Sequence, residues 1–343
     1  MKKQTTETSS SESNDKSKLE QYHVPGDEPP LQLLDEERRQ KIDEFRKFVE
    51  EEIEMTKAQQ KWVTDSLLYR YLRARNWKFA DAKDMLANTL QWREEYKPHK
   101  IKAKEVESNI RRGQLYHYKH DKFGRPALYV KVNTDHDPHS TEQKFKFMIH
   151  AQENAIRHMD EENGVEKMIW LVACKGYSYK HNGEVGFARE LISILANHYP
   201  ERLGVLFLYD APFVFRAFWK LVAPWIDRTT LKKVQFMPSG ESERRKMMEQ
   251  YFDLKDLRKE FGGDDEFCFD ADEYIAAITK LEEEEEAEKE REEAEEEDGE
   301  KEEKKQDEKE GGEEKKDKRK KKEKKAKKEK RSCSSGSEEQ KEE

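Results

Sequence analysis

The chain has no apolar run of membrane-spanning length. Its longest, Met168 to Cys174, falls far short of the roughly 18 residues a spanning helix needs. No apolar segment follows Met1-Lys2-Lys3-Gln4-Thr5-Thr6, so no secretory signal is read and a cytoplasmic protein is expected. Cysteine is scarce. Cys174, Cys268 and Cys333 are widely spaced with no CxxC pair, which removes a disulfide framework and a cysteine-built zinc site. GxSxG, P-loop, GxGxxG and HExxH patterns are also missing, and with them the common sequence routes to hydrolase, NTPase and dehydrogenase chemistry. The best metal candidate is the two HxxH pairs His117/His120 and His136/His139, with Asp121, Asp135 and Asp137 nearby. Imidazole and carboxylate can ligate zinc, but a turn at Asp121-Lys122-Phe123-Gly124-Arg125-Pro126 and a polar loop after a strand account for both pairs more simply. Neither a catalytic residue nor a metal or other cofactor is expected.

Charge is abundant. Charged residues make up 42% of the chain and hydrophobic ones only 34%, below the usual share of about 45–50%. The dilution is local. Residues 282–314 carry net −15, residues 315–331 net +10 and residues 332–343 net −3, which from the whole-chain −9 leaves −1 for residues 1–281. The charged tail, 280–343, cannot form a core and should be solvated, either disordered or a single helix supported by i,i+4 ion pairs. The basic block Lys315 to Arg331 could meet nucleic acid, a nuclear import receptor or anionic lipid. A plain solvated tail, screened by the acidic block beside it, is the preferred reading. An anionic lipid or a protein remains the candidate partner, and no nucleic acid is expected.

Residues 1–34, rich in Ser, Thr, Lys and Glu and ending near Pro29-Pro30, read as a disordered leader. Residues 35–98 show helical spacing: Ile42, Phe45, Val49 and Ile53, then Leu67, Leu68, Tyr71 and Leu72, then Ala82, Met85, Leu86 and Leu90. In residues 105–265 the pattern changes. Ala127 to Asn133 alternates, whereas Met168 to Cys174 and Val205 to Tyr209 are continuous apolar runs, as strands covered on both faces are. Helical periods at 145–159 and 187–198 lie between them, which gives a mostly parallel sheet in an α/β domain. Phe213 to Pro224 is apolar around most of a helix. It is either a helix buried in the core or one that shields an apolar cavity and meets a membrane when it moves. A short strand at Val234 to Met237 and a helix near Glu241 to Phe252 follow.

Leu68-Tyr69-Arg70-Tyr71-Leu72-Arg73-Ala74-Arg75, Trp92-Arg93-Glu94-Glu95-Tyr96, the turn 121–126, His198-Tyr199-Pro200-Glu201-Arg202-Leu203-Gly204, Ala211-Pro212 and Phe261-Gly262-Gly263 together resemble the CRAL-TRIO lipid-transfer family, especially its phosphatidylinositol-transfer branch. The resemblance spans about residues 60–265. It implies a small N-terminal helical lobe and an α/β lobe whose sheet floors an apolar lipid pocket closed by a gating helix. That helix would carry Phe213, Val214, Phe215, Phe218, Trp219, Leu221 and Val222, and Met168, Trp170 and Val172 would line the pocket. The headgroup would be held by Arg75, Asp121, Glu201, Thr230 and Lys233, in which cations can pair with phosphate and carboxylates accept inositol hydroxyls. Asn76 stands where many inositide binders have lysine after this arginine. The strand from Met168 to Cys174 offers no hydroxyl, so the second ligand is expected to be less polar than phosphatidylcholine. The resemblance implies a monomer that binds phosphatidylinositol and a second hydrophobic lipid and touches membranes transiently. A carrier of a sterol- or tocopherol-like molecule and a scaffold acting through the tail are the competing readings.

Overall fold

The structure, a computed structural model, describes residues 21–24, 27–132, 137–182, 184–291 and 294. It forms two units divided after residue 279.

The first unit opens with four helices: α1 (Glu36–Glu52), α2 (Lys57–Trp62), α3 (Asp65–Ala74) and α4 (Phe79–Tyr96). A helix leaves its first N–H groups without partners, and side chains take them up. Asp35 accepts from Arg38 at 2.8 Å, Thr56 from Gln59 at 3.2 Å and Thr64 from Leu67 at 3.2 Å. α4 stops where Lys97 turns left-handed and Pro98 follows. The spaced apolar residues converge as expected: Ile42, Phe45 and Val49 pack with Leu68, Leu72, Leu86 and Leu90.

The boundary expected for a disordered leader is set too late. Residues 1–20 lie outside the described residues, but Pro30 and Leu34 are buried. The Tyr69 hydroxyl donates to the Pro29 carbonyl at 3.0 Å, and Gln32 donates to the carbonyls of Glu161 and Glu162 at 3.0 and 2.8 Å. Pro29, Pro30 and Leu31 to Leu34 supply enough apolar surface and fixed backbone to bind this segment down.

A short helix α5 (Glu107–Ile110) leads into β1 (Leu115–His120) and β2 (Pro126–Lys131), followed by α6 (Thr141–Arg157), β3 (Met168–Ala173), α7 (Tyr179–Asn182), α8 (Val185–His198) and β4 (Leu203–Tyr209). Then come α9 (Phe213–Val222), α10 (Arg228–Lys232), β5 (Val234–Phe236) and α11 (Glu241–Met248). The five strands lie in the order β1-β2-β3-β4-β5, antiparallel between β1 and β2 and parallel thereafter. This is the expected α/β architecture, with one strand not foreseen. β1 is an edge strand whose buried Leu115 and Tyr116 sit among histidines and a lysine, so it lacks an apolar alternation.

Register fixes which side chains share a face, because successive residues of a strand point to opposite sides. One face carries two rows across the sheet, Leu128-Trp170-Leu206-Val234 and Val130-Val172-Leu208-Phe236. The opposite face carries Ala127-Ile169-Val205 and Tyr129-Leu171-Phe207, and Met237, Met248, Phe252, Leu257 and Phe261 close over it. In the second unit, the described residues 280–291 and 294 are helical, with Lys280 and Glu284 one turn apart at 3.5 Å. That fits the single-helix alternative for the start of the tail; the basic block 315–331 lies outside the described residues.

Candidate functional site

The two faces differ in how completely they are filled. On the face covered by α11 and the chain after it, Ile169, Leu171 and Phe207 are fully buried. Across the strands, Trp170, Val172, Leu206, Val234, Val130 and Phe236 all remain partly open. The helices over this face leave room: α8 has no fully buried residue, although Leu191, Ile194 and Leu195 are apolar. Protein interiors normally pack to crystal-like density. Apart from Leu128 and Leu208, which are buried, this apolar face is left partly open beneath apolar helices, an arrangement suited to an apolar guest. Trp170 and Val172 lie on this partly open face. Met168, expected with them, is not open: it is 1% exposed, packed in the cluster of Ile149, Ala155 and Tyr199, because it lies where α6 and the approach to β4 already seal the sheet. Behind α9 the Tyr177 hydroxyl is buried and has no hydrogen-bond partner among the described residues.

α9 packs over this face and carries apolar residues on two sides. Phe215 and Val222 are buried, and Phe218 and Trp219 are half-buried, at i, i+3, i+4 and i+7. Phe215 meets Tyr177 edge-on at 5.2 Å and Trp219 meets Phe236 at 6.0 Å. Phe213, Val214 and Leu221 point the other way and are 85%, 45% and 54% exposed, and Trp225 follows at 37%. One side of this helix is thus packed into the fold and the other is exposed. An exposed cluster of large apolar side chains marks a surface that meets another apolar body.

A row of cations marks the sheet's edge. Each strand of the parallel part is entered from one: Arg125 before β2, Lys167 before β3, Arg202 before β4 and Lys233 before β5. Because these strands are parallel, their starting ends share an edge. Arg125 is neutralised within its own turn. Asp121 Oδ1 accepts the N–H groups of Phe123 and Arg125 at 2.9 Å each, and Oδ2 takes the Arg125 guanidinium at 2.7 Å. Asp121 is buried with both oxygens engaged, so it serves as the clasp of the turn, which corrects the expectation that it faces a headgroup. Arg202 is held by Glu161 and by the Glu166 carbonyl.

Lys233 lies 3.5 Å from Glu201, whose backbone is left-handed at φ 59°. Thr230, on α10, accepts the Lys233 N–H at its carbonyl at 3.0 Å, while Asp227 caps the helix. The structure thus brings Glu201, Thr230 and Lys233 together. Arg75, half-buried at the end of α3, hydrogen-bonds only the Ala74 carbonyl and makes no ion pair among the described residues. Two charged residues that sequence reasoning missed join the edge: Lys167, paired with Asp27 at 2.8 Å, and Arg73, paired with Glu166 at 2.7 Å. A basic residue immediately before each parallel strand was the signal that could have found Lys167.

Glu166 ties the two lobes. Burial would push its carboxyl up, but Arg70 and Arg73 beside it outweigh burial and hold it below the usual carboxylate range. Nearby, Arg70, Arg93, Glu153, Glu161, His198 and Arg202 line a cavity of about 290 Å³. Trp62, Leu67, Tyr71, Ile156 and Tyr199 line it as well, so its walls are of mixed character. The histidines of the metal candidate are spent separately. His117 and His120 bond to the backbone carbonyls of Lys119 and His158, and His139 bonds to Asp137 and Ser108. His136 and Asp135 lie outside the described residues, among which no cluster of three or more His, Cys, Asp or Glu is arranged to hold a metal ion.

The arrangement has known counterparts. Residues 41–88 match the CRAL/TRIO N-terminal domain and residues 110–263 the CRAL/TRIO domain, together more than half of the chain. A CRAL-TRIO domain-containing protein of Schizosaccharomyces pombe is 30% identical over 64% of this chain, which spans only 21% of that relative. Phosphatidylinositol transfer protein CSR1 of Eremothecium gossypii is 28% identical over 60% of this chain, which spans 48% of it. SEC14 cytosolic factor of Kluyveromyces lactis is 28% identical over 68% of this chain and 80% of its own length. Among solved structures, Sfh5 aligns with a TM-score of 0.54 over 68% of this chain and 89% of its own, at 16% identity, a likeness of fold. Two matched domains in the right order, over a sheet, helical lobe and covering helix of the expected kind, place this chain in the CRAL-TRIO family, in the branch that resembles phosphatidylinositol transfer proteins.

Proposed function

We propose that this protein binds one phospholipid of the phosphatidylinositol class at a time and exchanges it at membrane surfaces, without covalent chemistry. The observation that carries this reading is the open apolar face of the sheet beneath α9, a helix with apolar residues on both its inner and outer sides. Each acyl CH₂ taken out of water is worth about 0.8 kcal/mol, so even a partly filled chamber holds a lipid firmly. The outer residues Phe213, Val214, Leu221 and Trp225, beside exposed Arg216 and Lys220, suit a transient encounter with an anionic membrane. The reading makes the protein a cytosolic monomer that visits membranes. Glu201, Thr230 and Lys233 supply an acceptor, a hydroxyl and a phosphate cation for the headgroup, and Arg75, free of acidic partners among the described residues, is available to join them. The β3 residues facing the chamber carry no hydroxyl, and the unpartnered Tyr177 hydroxyl supports a second ligand with a single polar group, such as a sterol-like alcohol.

The test is mass spectrometry of lipids that co-purify with the protein, beside a Thr230→Ala, Lys233→Ala variant. One phosphatidylinositol per chain, lost in the variant, is the expected result. A neutral lipid alone, equal in both, would refute the inositide assignment and leave a carrier of another hydrophobic molecule.

A further inference from the structure

Of the four cations that enter the parallel strands, Lys167 has the least local partner. Arg125 is paired by a carboxylate four residues away, and Lys233 by Glu201 at its own edge of the sheet. Lys167 is paired by Asp27, from the segment that precedes the helical lobe. The Lys167 side chain is only 12% exposed and its ion pair measures 2.8 Å. Burial and the proximity of Lys233 and Arg73 both lower the Lys167 pKa, with Asp27 acting against them. The Asp27 carboxyl, which burial alone would raise, is held below its ordinary value by Lys167, Lys233 and Arg125. One carboxylate therefore lies in the field of three edge cations. Half-buried lysines that repel one another need anions beside them; Glu201 serves Lys233, and the leader supplies the anion for Lys167.

We propose that Asp27 is an internal stand-in for the lipid phosphate, that Lys167 and Lys233 form the phosphate-binding pair, and that a phosphatidylinositol-class headgroup enters by displacing Asp27 from Lys167. The inference rests on the headgroup reading given above and adds to it a residue, Lys167, and a competitor. Chain geometry permits the exchange. The neighbouring residues keep their own contacts, Glu28 with Arg38 at 3.0 Å, the Pro29 carbonyl with the Tyr69 hydroxyl, and Gln32 and the buried Leu34 beyond, so the Asp27 side chain can swing away from Lys167 without undoing them. A carboxylate is a weaker match for two ammonium groups than a phosphodiester with its inositol hydroxyls reaching Glu201 and Thr230, so lipid can win the competition. When no lipid is present, Asp27 pairs with Lys167 as Glu201 does with Lys233.

The experiment uses the full chain and phosphatidylcholine vesicles with or without phosphatidylinositol. Equilibrium loading is measured for the wild type, Asp27→Asn, Asp27→Glu and Lys167→Ala, each first shown to melt cooperatively. Asp27→Asn is expected to bind phosphatidylinositol at least about fivefold more tightly, the lower end of coupling between two binding events in one protein. Asp27→Glu should remain close to the wild type, and Lys167→Ala should bind about fivefold more weakly and erase the gain when combined with Asp27→Asn. Phosphatidylinositol bound by the wild type and lost in Thr230→Ala, Lys233→Ala, with no change in Asp27→Asn, overturns the stand-in alone. No phosphatidylinositol bound by either wild type or Asp27→Asn overturns the headgroup reading beneath it. Glycerophosphoinositol offered without vesicles separates a free headgroup from a lipid: a gain with it and none with vesicle lipid also overturns the proposal.

Discussion

The two faces of the sheet are made from the same strands and nearly the same residue types, yet one is sealed and the other is not. Ile169, Leu171 and Phe207 alternate along β3 and β4 with Trp170, Val172 and Leu206. The first set is fully buried and the second remains partly open. The difference lies in the cover: α11 and the segment through Phe261 close on one side, whereas α8 and α9 stand over the other without filling it. Stability and ligand capacity are therefore assigned to opposite sides of single strands. Truncating neighbours on β4 gives the sharpest way to break this comparison. Phe207→Ala should cost about 3–5 kcal/mol in urea unfolding, as large-to-small changes in filled cores do. Leu206→Ala should cost about 1 kcal/mol, because half of its cavity exists already, but should reduce lipid loading. Equal stability losses at the two positions would mean that both faces are core.

Acid acts on neither face but on the junction that holds the helical lobe to the sheet edge. The Glu166 carboxyl is held below its ordinary value of 4.5 because Arg70 and Arg73 outweigh its burial. A depressed carboxyl contributes stability that is complete above 4.5 and is lost as pH falls through the folded-state value. Below pH 4.5, each proton taken up on unfolding-linked titration steepens the loss by about 1.4 kcal/mol per pH unit. Glu161 and Glu153 shift in the same direction, so the whole junction weakens together. Glu166→Gln should flatten the stability curve below pH 4.5 relative to the wild type, measured by urea unfolding at stepped pH. An unchanged slope would show that acid sensitivity arises elsewhere.

The architecture could be read from the residues because continuous apolar runs such as Met168 to Cys174 and Val205 to Tyr209 occur where both faces of a strand are covered. That same continuity concealed the contrast between the faces: a run apolar at every position does not say which alternate set is sealed. Only the packing of α8 and α9 decides it. The site was read unevenly for a related reason. Glu201, Thr230 and Lys233 belong to segments that converge on one edge, and the structure unites them. Asp121 carries the right charge, but Arg125 four residues on consumes it in a turn. Lys167, directly before the strand read from Met168, was visible only to a comparison of all the strand starts, and Asp27 lies in a stretch whose Ser- and Glu-rich surroundings read as disorder until Pro30 and Leu34 prove buried.

The smallest effect on stability should come from the outer side of α9, and it separates a gate from a simple lid. Phe215 and Val222 fill space against Tyr177 and the sheet, whereas Phe213 and Leu221 touch mostly water. Replacing both outer residues by serine removes no packing, so unfolding free energy should stay within about 0.5 kcal/mol of the wild type. Vesicle association is another matter. Each large apolar side chain moved from water into a membrane contributes about 1.5–3 kcal/mol, so losing two should weaken binding to phosphatidylcholine vesicles by at least about a hundredfold. Lipid already bound should stay in place, since the chamber side of α9 is unaltered, while its exchange between vesicles slows. Sedimentation of protein with vesicles and a fluorescent lipid transfer assay measure the two quantities on the same sample. If association falls but exchange does not, lipid leaves by a route that does not involve α9, and the open face of the sheet is a reservoir without this gate.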